Sequence, residues 1–510
     1  MDNFQRSIGN TAISITFTFL PNWPTTPLLM LCKKITILLL LLGPAWLHAQ
    51  DTASPAPLAI PLLAVKQIVI QGNKKTKPYV IEREIQFTPG DSIPAAKLSE
   101  ELEKARQQIY NTTLFNEVSV TAQVLSAHDI AVNVEVRERW YIFPVPQFKL
   151  VDRNLNEWLK TYKGDLNRIS YGVKFVHYNL SGRRDQLRIY LFSGFARNIS
   201  FSYTSPGSNP SLTEGFTVGG GFLQNRQVAY TTSYDNQLQF FSLPSTGSGQ
   251  KSLGGFVRDN WFANAGYIIR RGLFNRHTIQ VSLSRYQVND SIAEQRYNHN
   301  YFGDGKTTAR ILDFSYNFSH SNVNNSTYPL TGKRYAFTIL KRGLGLTGGL
   351  NMFAIEGHYN RLWHLGGRWY GDVLAAGKIK LPFDQPYYNQ QALGYGENYL
   401  RGLEVKVIDA AAYTFARNTL RFKTLTFSLP FPFKSKSHPR IPFIIYTKTY
   451  ADVGYAYNKK KYDTYLNNRL LYSGGVGIDV QTLYDVNIRF EYSLNQLGKK
   501  GLFLHTQVSF

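Results

Sequence analysis

"DVNIRFEYSL", residues 485–494, sets Val486, Ile488, Phe490, Tyr492 and Leu494 in alternation with Asn487, Arg489, Glu491 and Ser493. A period of two belongs to a β-strand, whose successive side chains point to opposite faces, so one face of this segment is apolar and the other polar. The pattern recurs in Ile279, Val281 and Leu283 against Gln280, Ser282 and Ser284. It returns at the C-terminus in Leu502, Leu504, Val508 and Phe510 against His505, Gln507 and Ser509. From Trp140 onward no convincing amphipathic helix and no long apolar run interrupts such segments. Short turns such as "NLSGRRD" and "RRGLFNRHT" alternate with long loops such as 289–308.

A soluble β-sandwich has the same alternation, so composition has to separate the two cases. Aromatic residues make up 14%, with 33 Tyr and 33 Phe, and charged residues only 18%. That charge content is low for a soluble surface of this size and favours a sheet with an apolar exterior. An open sheet cannot cross lipid, because its edge amides would be unpaired; the sheet must close. At roughly 23 residues per strand plus connection, residues 140–510 predict a transmembrane antiparallel β-barrel of about 16 strands.

The N-terminus supports export. "KKITILLLLLGPAWLHA", residues 33–49, has two lysines, an apolar run from Ile35 to Leu42, a Gly-Pro break and a small residue at its end, the layout of a secretory signal peptide. The apolar run is too short for a spanning helix, which needs about 20 residues. Met30 stands where such a peptide starts, so residues 1–29 read as an upstream extension. Cys32, the only cysteine, precedes the apolar run; removal of residues 1–49 leaves no thiol for a disulfide, a lipid anchor or nucleophilic chemistry.

Formal net charge is +23, and +21 without residues 1–49. The bases are scattered, with no basic helix and no nucleic-acid motif, so a basic barrel interior and contact with anionic lipid account for them better than nucleic acid. There is no H-E-x-x-H and no G-x-S-x-G, and His177 and His505 carry no catalytic spacing. No enzyme activity, catalytic residue, cofactor or metal site is expected.

Between leader and barrel, residues 50–64 are Pro- and Ala-rich and read as a linker. Residues 65–139 read as a small α+β unit of order β-α-α-β-β. Its strands are 66–72, 117–125 and 129–138, and its helices Lys77–Phe87 and Pro94–Tyr110. The second helix, capped by Ser92, places Leu98, Leu102, Ala105 and Ile109 on one face.

"IVIQGNKKTKPYVIEREIQFTPGD", "IYNTTLFNEVSV" and "VNVEVRER" resemble a POTRA domain. "YPLTGKRYAFTI" (328–339), "YLRGLE" (399–404) and "YADVGYAY" (450–457), in that order before a terminal strand ending in Phe510, resemble the bacterial surface antigen barrel of the BamA/TamA outer-membrane assembly factors. The resemblance covers about residues 65–510. It implies that Leu400, Arg401 and Gly402 lie on a sixth extracellular loop folded into the lumen, with Asp452 as wall partner of Arg401. A second family carboxylate would fall at Thr426, so Asp452 stands alone or with hydroxyl help, and Leu403 replaces the usual aromatic.

The resemblance further implies insertion or export of β-rich substrates through a lateral seam. The last strand, with Leu502, Leu504, Val508 and Phe510, forms one side of it. The other side falls within "WYIFPVPQFKL" (140–150), unless that segment is a linker; Pro144 and Pro146 remove ladder donors there. A periplasmic POTRA would receive unfolded outer-membrane or secreted proteins, and accessory proteins, by strand addition. A single POTRA makes a dedicated two-partner-secretion transporter an alternative to a general insertase; a passive channel is a third.

Overall fold

The computed structural model describes residues 61–150, 164–244, 255–344, 350–430, 440–459, 464–482 and 486–507. The leader, the upstream extension and most of the expected linker lie outside these residues, as do Val508 and Phe510.

The N-terminal unit comprises β1 (Leu62–Gln71), α1 (Pro78–Glu82), β2 (Ser92–Pro94), α2 (Leu98–Tyr110), β3 (Phe115–Val124) and β4 (Asp129–Glu138). Its sheet has the order β2-β1-β4-β3, with β1 and β4 parallel. Val80 and Ile81 of α1, Ala105 and Ile109 of α2, and Ile130, Val132 and Val134 of β4 meet in one buried core.

Three details differ from the sequence reading. β1 begins at Leu62, so Leu62–Ala64 belong to the sheet and not to the linker; they pair with β2. The first helix is short: after Glu82 the chain leaves the helix and buries Ile85 and Phe87 in the core. Pro94 ends an edge strand, where a missing amide is tolerated, and α2 starts only at Leu98 after a 3₁₀ turn. The order is therefore β-α-β-α-β-β.

The remaining strands are β5 (Ile142–Leu150), β6 (Ile169–Tyr178), β7 (Gln186–Gly194), β8 (Ala196–Ser205), β9 (Glu214–Asn225), β10 (Gln227–Thr232), β11 (Leu238–Ser242), β12 (Arg258–Arg271), β13 (Asn275–Val288) and β14 (Thr308–Val323). They continue with β15 (Gly332–Arg342), β16 (Met352–Gly366), β17 (Trp369–Leu381), β18 (Gln391–Leu393), β19 (Ile408–Asp409), β20 (Ala412–Pro430), β21 (Arg440–Tyr457), β22 (Leu470–Gln481), β23 (Asn487–Asn495) and β24 (Lys500–Gln507). β10–β11 and β18–β19 are small hairpins within loops. The other sixteen form one antiparallel sheet running in order from β5 to β24.

The sheet is inside-out by the standards of a soluble protein. Along β21, Tyr446, Lys448, Tyr450 and Asp452 are buried while Val453, Tyr455 and Tyr457 are exposed. On β23, Glu491 and Ser493 are buried and Phe490, Tyr492 and Leu494 exposed. The sheet curls upon itself, since the Tyr328 hydroxyl, in the turn after β14, donates to Asp479 on β22, far away in the sheet order. A charged, enclosed lumen and an apolar outer band suit a barrel standing in lipid. No helix among the described residues is long and apolar enough to cross a membrane.

The N-terminal unit is docked on the turns at one barrel end. In the β6–β7 turn the Gly182 carbonyl accepts from the Lys77 amide (3.0 Å), and Arg184 donates to the Asn111 and Thr112 carbonyls just past the end of α2. Asn111 in turn donates to the Val323 carbonyl and accepts from the Ser326 amide. Leu212, from the β8–β9 connection, joins the unit's core. Glu84 forms a bidentate pair with Arg270 at the end of β12, both contacts 2.6 Å. Burial opposes ionisation of Glu84, yet Arg270, with Arg184 and Arg83, holds its carboxyl below the usual range.

A depressed carboxylate pKa contributes docking stability that is complete above the ordinary glutamate value of about 4.3 and is lost as pH falls through the lower native value. Acidification is therefore expected to release the N-terminal unit, read as faster protease cleavage between unit and barrel. Glu84→Gln leaves a guanidinium short of its counter-charge, at a cost of about 3–5 kcal/mol for a buried pair. The variant should show fast cleavage already at neutral pH, with little further change on acidification.

Candidate functional site: the lumenal loop and the seam

Residues 382–411 connect β17 to β20 at the end away from the N-terminal unit, and are the sixth connection on that side. Lys380, buried at the end of β17, donates to the Gln391 and Ala410 carbonyls (2.6 and 3.0 Å) and so holds the two arms of the loop together. Leu400 and Leu403 are buried with Leu393, Ile408, Tyr413, Phe415 and Leu471. Apolar side chains thus draw the loop inward, and the arginine between them is carried along.

Arg401 is 6% exposed. Its amide and its Nε each donate to Asp452 Oδ2 at 2.9 Å, and one terminal nitrogen donates to Oδ1 at 2.5 Å. The Thr419 hydroxyl and the Asn418 carbonyl accept from the remaining N–H groups, at 3.0 and 3.2 Å. The guanidinium carbon lies 4.1 Å from the Tyr450 ring centroid. A planar five-donor head is well satisfied by such a bidentate carboxylate, two further acceptors and a ring face.

The hydroxyl beside Asp452 is that of Thr419 and not of Thr426. Both are on β20, but Thr426 pairs with Ile444 near the opposite end, seven residues away, or roughly 23 Å along a strand. Thr419 lies two register positions from the Arg417–Asp452 pair, within reach of the loop. Gly402 has a φ of +84°, and a Cβ there would come within 2.7 Å of the Ser493 Cβ. The Gly402 carbonyl accepts from Asn495 at 2.6 Å, so the tip touches β23 as well as β21. Any side chain at 402 would push the tip off the wall.

Below the tip, Lys448 bridges Asp479 (2.5 Å) and Glu491 (2.6 Å), and Arg421 pairs with Asp372. These residues escaped the sequence reading. Each occupies a polar slot of an alternating strand, which marks it as inward without saying which charge it meets.

At the seam, Leu502 and Leu504 face outward, 72% and 61% exposed, and do not approach Arg401. His505 turns inward; its ring lies parallel to that of Tyr399 at 5.9 Å, and its Nε2 is 3.0 Å from Glu404 Oε2. The 142–150 segment is the first strand of the sheet and not a linker, with Pro144 and Pro146 in its ladder to β6. Among the described residues β5 pairs only with β6, β24 only with β23, and no ladder joins β5 to β24.

Residues 63–139 match the family model for POTRA, surface antigen variable number repeat. The N-terminal unit is a POTRA domain. This POTRA domain stands ahead of the sixteen-stranded antiparallel sheet. Among solved structures the chain is similar to BamA from Haemophilus ducreyi lacking POTRA domains 1–3, with 14% identity, 87% of this chain and 84% of that chain covered, and a TM-score of 0.47. It is similar to CdiB from Escherichia coli, with 11% identity, 94% and 96% covered, and a TM-score of 0.47. For CdiB from Acinetobacter baumannii the values are 12%, 87%, 73% and 0.43. No curated protein sequence matches.

Arg401→Glu places two carboxylates together in a buried site and should free the loop. The expected result is loss of function in a complementation assay and new protease sites within 394–407. Asp452→Arg combined with Arg401→Glu should restore part of both; a fully active, protease-resistant single variant would show that the contact does not hold the loop.

Proposed function

We propose that this chain is an outer-membrane insertase or translocase that passes β-rich substrates through the β5–β24 seam, with the POTRA domain in the periplasm receiving them. The observation that carries this reading is the absence of a ladder between β5 and β24 among the described residues. Unpaired amides are costly in lipid, and an incoming strand that adds to either edge satisfies them. Leu502 and Leu504 present an apolar outer face at that edge. The held loop keeps the lumenal wall ordered beside it, since Gly402 and Tyr399 contact β23 and β24.

A second reading, a two-partner-secretion-type transporter for one passenger, draws on the POTRA dock. One such domain among the described residues, fastened to four barrel turns, presents a short, positioned entrance rather than a long flexible arm. A passive channel uses neither feature. The substrates are unfolded outer-membrane or secreted proteins, the surroundings are bacterial outer-membrane lipid, and accessory periplasmic proteins would dock on the POTRA sheet. No catalytic step is assigned.

Depletion followed by outer-membrane proteomics separates the readings. A fall in many barrel proteins is expected for an insertase, and loss of one secreted passenger for a dedicated transporter. Unchanged levels of every barrel and passenger would overturn both.

A further inference from the structure

We propose that Glu404, Glu491 and His505 form a binding site for a divalent transition-metal ion, zinc by preference, where the lumenal loop meets the last two strands. The three come from separate elements: Glu404 from the loop, three residues past Arg401, Glu491 from β23 and His505 from β24. Glu491 pairs with Phe503, so His505, two residues on, shares its inward face.

The two distances from the imidazole are those of a ligand set. His505 Nε2 is 3.0 Å from Glu404 Oε2 and 3.4 Å from Glu491 Oε2, and one donor atom from each residue lies within 4.8 Å of the others. Zinc bonds of about 2.0–2.2 Å to nitrogen and oxygen imply donor separations of roughly 3.0–3.5 Å between right and tetrahedral angles. Despite its proximity to both carboxylates, the buried His505 Nε2 makes no hydrogen bond, and neither does the buried Glu404 Oε1. Buried polar atoms without partners are uncommon and unfavourable. A cation between the three residues would engage the imidazole nitrogen and the carboxylates together.

The neighbours hold these groups in place. Lys448 takes the other oxygen of Glu491 at 2.6 Å, leaving Oε2 toward His505, and is itself held by Asp479. Tyr399 stacks on the imidazole and restrains its plane. Such outer contacts orient metal ligands. Glu404 and Glu491 bring two carboxylates to His505, with Lys448 on the far oxygen of Glu491 and Asp479 shared between Lys448 and Arg421. One imidazole and two carboxylates suit zinc, with water from the lumen completing the tetrahedron. A bound ion would fasten the loop to β24. The site goes beyond the proposed transport role, because ion binding can be measured whether or not the chain moves substrates.

The test uses the full chain, folded in detergent and stripped with a chelator, titrated with Zn²⁺ by calorimetry and with Co²⁺ by visible absorption. One ion per chain is expected. Glu404→Gln and His505→Gln should each weaken binding at least about tenfold, while His128→Gln, in the POTRA domain, should leave it unchanged. Folding is checked by the different gel mobility of unheated and boiled samples. Absence of Zn²⁺ uptake and of a Co²⁺ ligand-field band in the folded parent would overturn the proposal. So would unchanged affinity in a folded Glu404 or His505 variant.

Discussion

Every backbone amide that enters lipid must find a partner within the protein, and the rest of this structure depends on that constraint. It forces the strands into one sheet, curls the sheet until its polar face is enclosed, and makes the two terminal strands the place where the requirement is hardest to meet. Long central strands pair fully with both neighbours. β5 and β24 pair on one side only among the described residues, so any segment able to offer a strand edge has a reason to come there.

Enclosing the polar face creates the opposite problem inside. Charges packed on the lumenal wall have to be neutralised locally, and Lys448 between Asp479 and Glu491, Arg421 with Asp372, and Arg401 with Asp452 do so. Of these, Arg401 has the widest consequence, since it is the one contributed by a loop. Removing one partner of such a buried pair is more damaging than never having had the pair, so the contact acts as a condition on the loop's position more than as a source of net stability. At the other end of the barrel Glu84 and Arg270 follow the same logic, with the POTRA domain as the part being positioned.

Much of the fold was legible because lipid and water impose opposite demands on alternate residues. "DVNIRFEYSL" displays the inside-out barrel on its own: Glu491 and Ser493 are buried and Phe490 and Tyr492 are exposed. Boundaries were less legible. The first helix stops at Glu82 because Ile85 and Phe87 are needed in the core, and helical periodicity does not register that competition. The site was half legible. Arg401, Gly402 and Asp452 carry recognisable neighbours in sequence, whereas Thr419 does not, because the hydroxyl that reaches the guanidinium is selected by the register of β20 against β21.

Residue order alone settled the period of the strands, the side of each that meets lipid, and the turn chemistry between them, since these are local properties of a chain in a two-faced environment. Closure of the polar face decided which charges meet. Glu404, Glu491 and His505 stand far apart in the chain with no spacing that marks a ligand set. They converge because a loop drawn inward by Leu400 and Leu403 arrives at the wall where β23 and β24 present the same face.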